Sequence, residues 1–142
     1  MKHLISLLLL VVGSVFAQGT ETLGYYLDKG AKPLTEEQVR KIYTGRTMSG
    51  ISLTGESKYE LTYNADGTFG GTVQQTASPH STSKSQGTWT VDAEGRFCIN
   101  ELLVDWNLKH INCLYFFTTG EAGFVAKSNT DRETKVYFRK RQ

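Results

Sequence analysis

The stretch GTWTVDAEGRFCIN, from Gly87 to Asn100, is the part of the sequence that decides the fold. Two short apolar runs flank a charged turn that ends in glycine, a pattern typical of a β-hairpin. A five-residue turn would pair Trp89 with Ile99 and Val91 with Phe97, whereas a four-residue turn would shift this pairing by one residue. We favour the first register because it places four apolar side chains on one face, as a core requires. Trp89 is therefore predicted to anchor the core rather than to contact a ligand.

The second run of this hairpin carries Cys98, and the only other cysteine in the chain is Cys113. If the two face each other on adjacent antiparallel strands, the connecting turn falls at 104–107, where Asp105 and Asn107 can supply local hydrogen bonds. Directly opposed cysteines of this kind can reach disulfide geometry. The sequence therefore predicts a Cys98–Cys113 disulfide, which would contribute about 3 kcal/mol in the chain-entropy model.

The N-terminal sequence predicts export to an oxidising compartment, in which such a disulfide can form. MKHLISLLLLVVGSVFAQ has a short basic start, an apolar run and a Val-Phe-Ala end, the pattern of a secretory signal peptide spanning residues 1–17. The apolar run is too short for a membrane-spanning helix, so we expect cleavage after Ala17 and no stable membrane anchor. The predicted location is periplasmic or secreted.

Composition narrows the classes of partner and cofactor. The chain has 16 Lys and Arg against 14 Asp and Glu, so it lacks the concentrated basic charge of a dedicated nucleic-acid-binding protein. Only three histidines accompany the two cysteines, a set that does not favour a metal site. We predict no cofactor and no metal.

A single domain is predicted for residues 33–142, after an extended lead-in at 18–32. Its clearest element is a short helix before Gly45, in which Thr35 and Gln38 form a capping box and Leu34 packs on Val39 as a hydrophobic staple. After Gly45, apolar residues recur at every second position, which indicates successive β-strands. The predicted strands are 46–53, 58–63, 68–75, 87–91, 96–100, 111–118, 124–127 and 135–139, with a flexible polar loop at 76–85. The predicted fold is mainly β: an antiparallel meander of about eight strands in a small lipocalin-like barrel or half-barrel, with one helix.

Five short motifs together resemble a known family. They are Leu34-Thr35, Gly45-Arg46-Thr47, the run from Tyr63 to Thr68, Gly87-Thr88-Trp89, and the pair Cys98 and Cys113. The pattern is similar to that of small exported proteobacterial proteins that are classified only as a domain of unknown function. The resemblance implies a fold and a compartment, but no activity.

No catalytic motif of any strength accompanies these features, so the predicted function is non-enzymatic: an exported module that binds a small molecule or a protein of the cell envelope. Trp106 and His110 are the candidate contact residues, since a tryptophan at a turn centre can either fold back over the barrel end or remain exposed to a partner. The alternatives are a small periplasmic hydrolase-like enzyme, with Asp105 and His110 as its only candidate pair, and a purely structural envelope protein.

Overall fold

The computed structural model describes residues 21–120 and 122–138, so the predicted signal peptide at 1–17 and the chain end after 138 lie outside the described residues. Along this part of the chain the elements follow in the order α1 (Leu23–Asp28), β1 (Lys32–Pro33), α2 (Glu36–Tyr43), β2 (Arg46–Ile51), β3 (Ser57–Tyr63), β4 (Thr68–Gln75), β5 (Thr82–Val91), β6 (Phe97–Leu103), β7 (Leu108–Thr119), β8 (Ala122–Ala126) and β9 (Val136–Phe138).

Strands β2 to β9 pair in sequence order, each antiparallel to the next, in one sheet that curls into a half-barrel. Strands β2 and β9 stand at the two ends of this order, and the short β1 pairs with the far half of β7. The predicted antiparallel meander with a half-barrel form is confirmed. The short, glycine- and Asx-containing turns favour this topology because they join only neighbouring antiparallel strands.

The registers of the two central hairpins are those predicted from the sequence. Trp89 pairs with Ile99 and Val91 with Phe97, across a five-residue turn. Cys98 lies opposite Cys113 and forms the predicted disulfide, with 4.1 Å between the two Cα atoms. The turn between β6 and β7 occupies 104–107, and Asn107 adopts a positive φ of 48°, which asparagine tolerates better than most residues.

Helix α2 begins with the predicted capping box. The Thr35 hydroxyl accepts a hydrogen bond from the Gln38 backbone N–H at 3.2 Å, and the Gln38 side chain accepts one from the Thr35 N–H at 2.9 Å. The helix is tied to the sheet by the Arg40 guanidinium, which donates to the Val91 carbonyl at 2.8 Å. Its apolar side buries Val39 completely.

The main core cluster lies between α2 and the inner face of the half-barrel. Tyr43 stacks on Phe97 with 4.0 Å between ring centroids, and the indole N–H of Trp89 donates to the Asn64 carbonyl at 2.9 Å. Trp89 is only 4 % exposed, so its predicted role as a core anchor is confirmed. The buried members of the cluster are Val39, Leu61, Tyr63, Phe69, Val73, Trp89, Val91, Phe97, Leu103, Phe116 and Val125.

The predicted extended lead-in is wrong in one respect, because residues 23–28 form helix α1 and pack against the protein. Thr22 caps this helix by accepting a hydrogen bond from the Tyr25 N–H at 3.4 Å. Leu23 and Tyr26, three positions apart, are both buried against a second cluster that includes Phe124 and Val136. Six residues are too few for a stable isolated helix, so these tertiary contacts stabilise it.

The polar loop predicted at 76–85 is shorter in the structure, because β5 already begins at Thr82. Ser83 and Ser85 point to the inner face and are almost completely buried. The sequence did not predict this first part of β5, because serine at the inward positions breaks the apolar alternation by which a strand is recognised. Strand β7 similarly begins at Leu108, three residues before the predicted start.

Candidate ligand-binding cavity

The inner face of the half-barrel has two different ends. At the filled end, next to the turns at 64–67 and 92–96, α2 packs on the aromatic rings of the main core cluster. At the open end, next to the turns at 52–56 and 104–107, the inner face lines a cavity of about 450 Å³. Most of its lining is apolar, namely Tyr43, Ile51, Leu53, Leu61, Tyr63, Val73, Phe97, Ile99, Leu103, Leu108, Leu114, Phe116 and Val125.

One buried carboxylate stands out among the polar side chains of this cavity. Glu101 of β6 is only 9 % exposed at its side chain, and it accepts a short hydrogen bond from the Ser85 hydroxyl. Its other oxygen, Oε2, lies 3.3 Å from Nδ1 of His110, which faces it directly from β7. An ionised carboxylate can only accept hydrogen bonds, so a hydrogen bond from His110 to it requires the hydrogen on Nδ1 and leaves Nε2 to face other groups.

Strand β5 lies close to Glu101 at two positions. Gly87 is the residue of β5 that pairs with Glu101, and a Cβ there would lie 1.9 Å from the Asn100 carbonyl oxygen. No side chain therefore fits at position 87 without a backbone shift. Two residues along the same face, Ser85 presents a small hydroxyl that reaches the carboxylate. On β5, therefore, a close backbone approach requires glycine at position 87, and Ser85 supplies the hydrogen bond to Glu101.

Three further polar groups of the lining have no hydrogen-bond partner among the described residues: Nε2 of His110, the side-chain amide of Asn112 and the hydroxyl of Tyr59. His110 and Asn112 are two positions apart on β7, so they share the inner face. Burial raises the pKa of Tyr59, which keeps its hydroxyl protonated and able to donate. These groups can therefore offer hydrogen bonds to a molecule in the cavity.

The pKa of Tyr63, at the base of the cavity, is raised like that of Tyr59. Burial is the main cause, and the charges of Tyr43, Tyr59 and Glu101 add to it. Both tyrosines are neutral at physiological pH, so Glu101 and Glu56 supply the acidic groups of the lining and Lys127 and His110 the basic ones. Within residues 21–120 and 122–138, no three histidine, cysteine or acidic side chains come together in a way that could hold a metal ion.

The chain matches a known sequence family. Residues 7–114 match a family described as "Protein of unknown function (DUF995)". The chain belongs to this family. The match confirms the resemblance to an uncharacterised domain that the short motifs indicated. No curated protein and no solved structure matches this DUF995 chain.

The two predicted contact residues of this DUF995 protein lie in different surroundings. His110 lines the cavity, with about half of its side chain exposed. Trp106 is half-buried in the turn between β6 and β7 and packs against the main core cluster, although it does not line the cavity. Its contact with a ligand or partner stays a prediction.

The structure does not bring together Asp105 and His110 as a hydrogen-bonded pair. The Asp105 carboxylate accepts a hydrogen bond from the Lys84 backbone N–H at 2.7 Å and so fixes the turn to β5. His110 has Glu101 as its carboxylate instead. The Glu101–His110 pair could have been predicted from the sequence. The register that sets Cys98 opposite Cys113 also sets Glu101 opposite His110. The alternation that begins with Phe97 and Ile99 places Glu101 on the inner face.

No helix within the described residues combines the length and the apolar character that crossing a membrane would require.

Proposed function

We propose that this DUF995 protein is a non-enzymatic, exported binding module that holds a small, mainly apolar molecule at the open end of its half-barrel. The cavity carries this proposal: its volume of about 450 Å³ falls within the range of roughly 300 to 1,000 Å³ that is typical of ligand sites. An apolar lining with a few convergent polar groups is also what such sites have in common. The lining supplies both, with Glu101, His110 and Asn112 as the polar part.

The disulfide supports the export part of this proposal. Cys98 and Cys113 are joined across β6 and β7, and such bridges persist mainly in oxidising compartments. The signal-peptide pattern of residues 1–17 is in keeping with that location. We propose that the protein acts in the periplasm or after secretion.

Binding of an apolar dye tests the cavity directly. N-Phenyl-1-naphthylamine is uncharged and becomes fluorescent in apolar surroundings, so we expect its emission to rise when it is titrated with the protein. Leu108→Trp should reduce this binding by about tenfold, because Leu108 lines the cavity and indole fills more space. Ile111→Trp is the matched control, since Ile111 lies on the same strand and does not line the cavity.

Two results would contradict the proposal. The first is an absence of dye binding to the wild-type protein. The second is an equal loss of binding in Leu108→Trp and Ile111→Trp, which would place the dye on the outer surface. Circular dichroism of each variant checks that the fold is retained.

A specific observation also favours a second candidate, a hydrolase-like enzyme. Glu101 orients His110 through Nδ1, and a histidine held in this way can act as a general base through Nε2. In this alternative, His110 removes a proton from water that attacks an ester bound in the cavity. Hydrolysis of p-nitrophenyl esters that is lost in His110→Ala, while dye binding is retained, would favour the enzyme. Absence of turnover in the wild type, with dye binding present, favours the binding module.

A further inference from the structure

Glu101 places a negative charge in the cavity with little to balance it. Its side chain is more than nine-tenths buried, and its only ion-pair partner among the described residues is His110. A neutral imidazole leaves the carboxylate uncompensated, and even a protonated one only brings the pair to zero net charge. A buried charge without a partner is costly, so proteins normally supply one. Here the opposite charge can come from the ligand.

We propose that the ligand of this cavity is an amphiphilic primary amine, with its ammonium group at Glu101 and its apolar body against the surrounding lining. This inference rests on the proposed binding function and names its ligand class. An ammonium group has three N–H donors and no acceptor. The cavity offers three kinds of acceptor on neighbouring strands: the free lone pairs of the Glu101 carboxylate, Nε2 of neutral His110, and the amide oxygen of Asn112.

The same charges argue against a carboxylate head group. An anion placed beside Glu101 meets a like charge where little water screens it, and a charged His110 would only cancel the charge of that carboxylate. Lys127 also lines the cavity, but it is exposed and lies with Glu56 among the more accessible lining residues. A lysine of this kind keeps its ammonium in water while its stem covers apolar surface.

Three compounds with the same apolar body test this assignment: octylammonium, 1-octanol and octanoate, each used near neutral pH to displace N-phenyl-1-naphthylamine. We expect octylammonium to bind about tenfold more tightly than 1-octanol, and octanoate to bind most weakly. Glu101→Gln keeps the size of the side chain and removes its charge. This variant should weaken octylammonium about tenfold and change 1-octanol less than threefold.

Glu60→Gln is the matched control, because Glu60 is also a strand glutamate but is exposed and does not line the cavity. It should change octylammonium affinity less than twofold. Equal affinities for the three compounds, tighter binding of octanoate, or failure of all three to displace bound dye would overturn the amine assignment while leaving the cavity function intact. Failure of the dye itself to bind would overturn the proposed function. Because the order of the three compounds is measured on the wild-type protein, the test holds even if Glu101→Gln does not fold.

Discussion

The filled and open ends of the half-barrel belong to the same inner face of the same sheet, yet one is packed and the other is not. At the filled end Tyr43 of α2 stacks on Phe97 and contacts the rings of Tyr63 and Phe116. At the open end the inward positions of β6 and β7 carry Glu101, His110 and Asn112. The difference shows that the sheet alone does not make a closed core. A covering helix is needed as well.

The length of α2 explains why this helix covers only part of the inner face of the half-barrel. Its eight residues extend about 12 Å, whereas the ten residues of β5 extend about 33 Å. A helix of this length is too short to cover strands such as β5 from end to end. Gly45, with a φ of 68°, then turns the chain into β2. Tyr43 of α2 and the rings of Tyr63 and Phe97 line one side of the cavity, and residues that α2 does not cover line the rest.

The largest expected effect comes from removing a ring at the filled end. Phe97→Ala deletes the side chain on which Tyr43 stacks and which is only 5 % exposed. We expect the free energy of unfolding to fall by about 3 to 5 kcal/mol, because the loss of apolar burial adds to the cost of the space left behind. Urea unfolding followed by tryptophan fluorescence measures it.

Leu108→Ala at the open end is the matched comparison. Leu108 lines the cavity and is 53 % exposed, so its truncation should cost no more than about 0.5 kcal/mol. Similar losses for the two variants would mean that the open end is packed as tightly as the filled end, and the contrast between them would be wrong.

The disulfide has the next largest expected effect, because it holds the hairpin whose tip forms part of the open end. Replacing Cys98 and Cys113 together by serine should lower the free energy of unfolding by about 3 kcal/mol, since the bridge closes a loop with a sequence separation of 15. Ile111→Ser is the control on the same hairpin, where a residue 74 % exposed should contribute little. Equal stability of the double variant and the wild type would show that the β6–β7 register holds without the bridge.

Much of the filled end could be predicted from the sequence because its signals are local. The capping box at Thr35 defines the start of α2, and the alternation around Trp89 and Phe97 fixes the hairpin register. The pairing of Cys98 with Cys113 follows from their being the only two cysteines of a chain that is expected to be exported. Each of these features depends on residues that are close in sequence or on one covalent bond.

The open end and α1 were harder to predict for different physical reasons. Glu101 is an inward residue of a strand, but a buried charge interrupts the apolar alternation by which strands are recognised. The buried Ser83 and Ser85 interrupt the alternation at the start of β5 in the same way. Helix α1 is stabilised by residues more than a hundred positions away, such as Arg132, whose guanidinium binds the Asp28 carboxylate at 2.7 Å. No local pattern contains such a contact.

The smallest expected effect concerns the turn between β5 and β6, which closes the filled end. The Asp92 carboxylate accepts hydrogen bonds from the Arg96 backbone N–H and guanidinium, each at 2.9 Å, and from the Glu94 N–H at 3.1 Å. Burial alone would raise the pKa of Asp92, but these hydrogen bonds outweigh it and hold the pKa below its ordinary value of 3.8. The ionised carboxylate therefore stabilises the folded protein.

A lowered pKa in the folded state fixes the pH at which this stabilisation is lost. It is fully present above 3.8, the ordinary value, and disappears as the pH falls through the lower pKa of the folded protein. Asp92→Asn should cost about 0.5 kcal/mol near pH 7, because the group is partly exposed and screened by water. The difference between variant and wild type should shrink as the solution is acidified below that value, as measured by urea unfolding at a series of pH values. A difference that stays constant or grows in acid would show that the charge of Asp92 does not hold this turn.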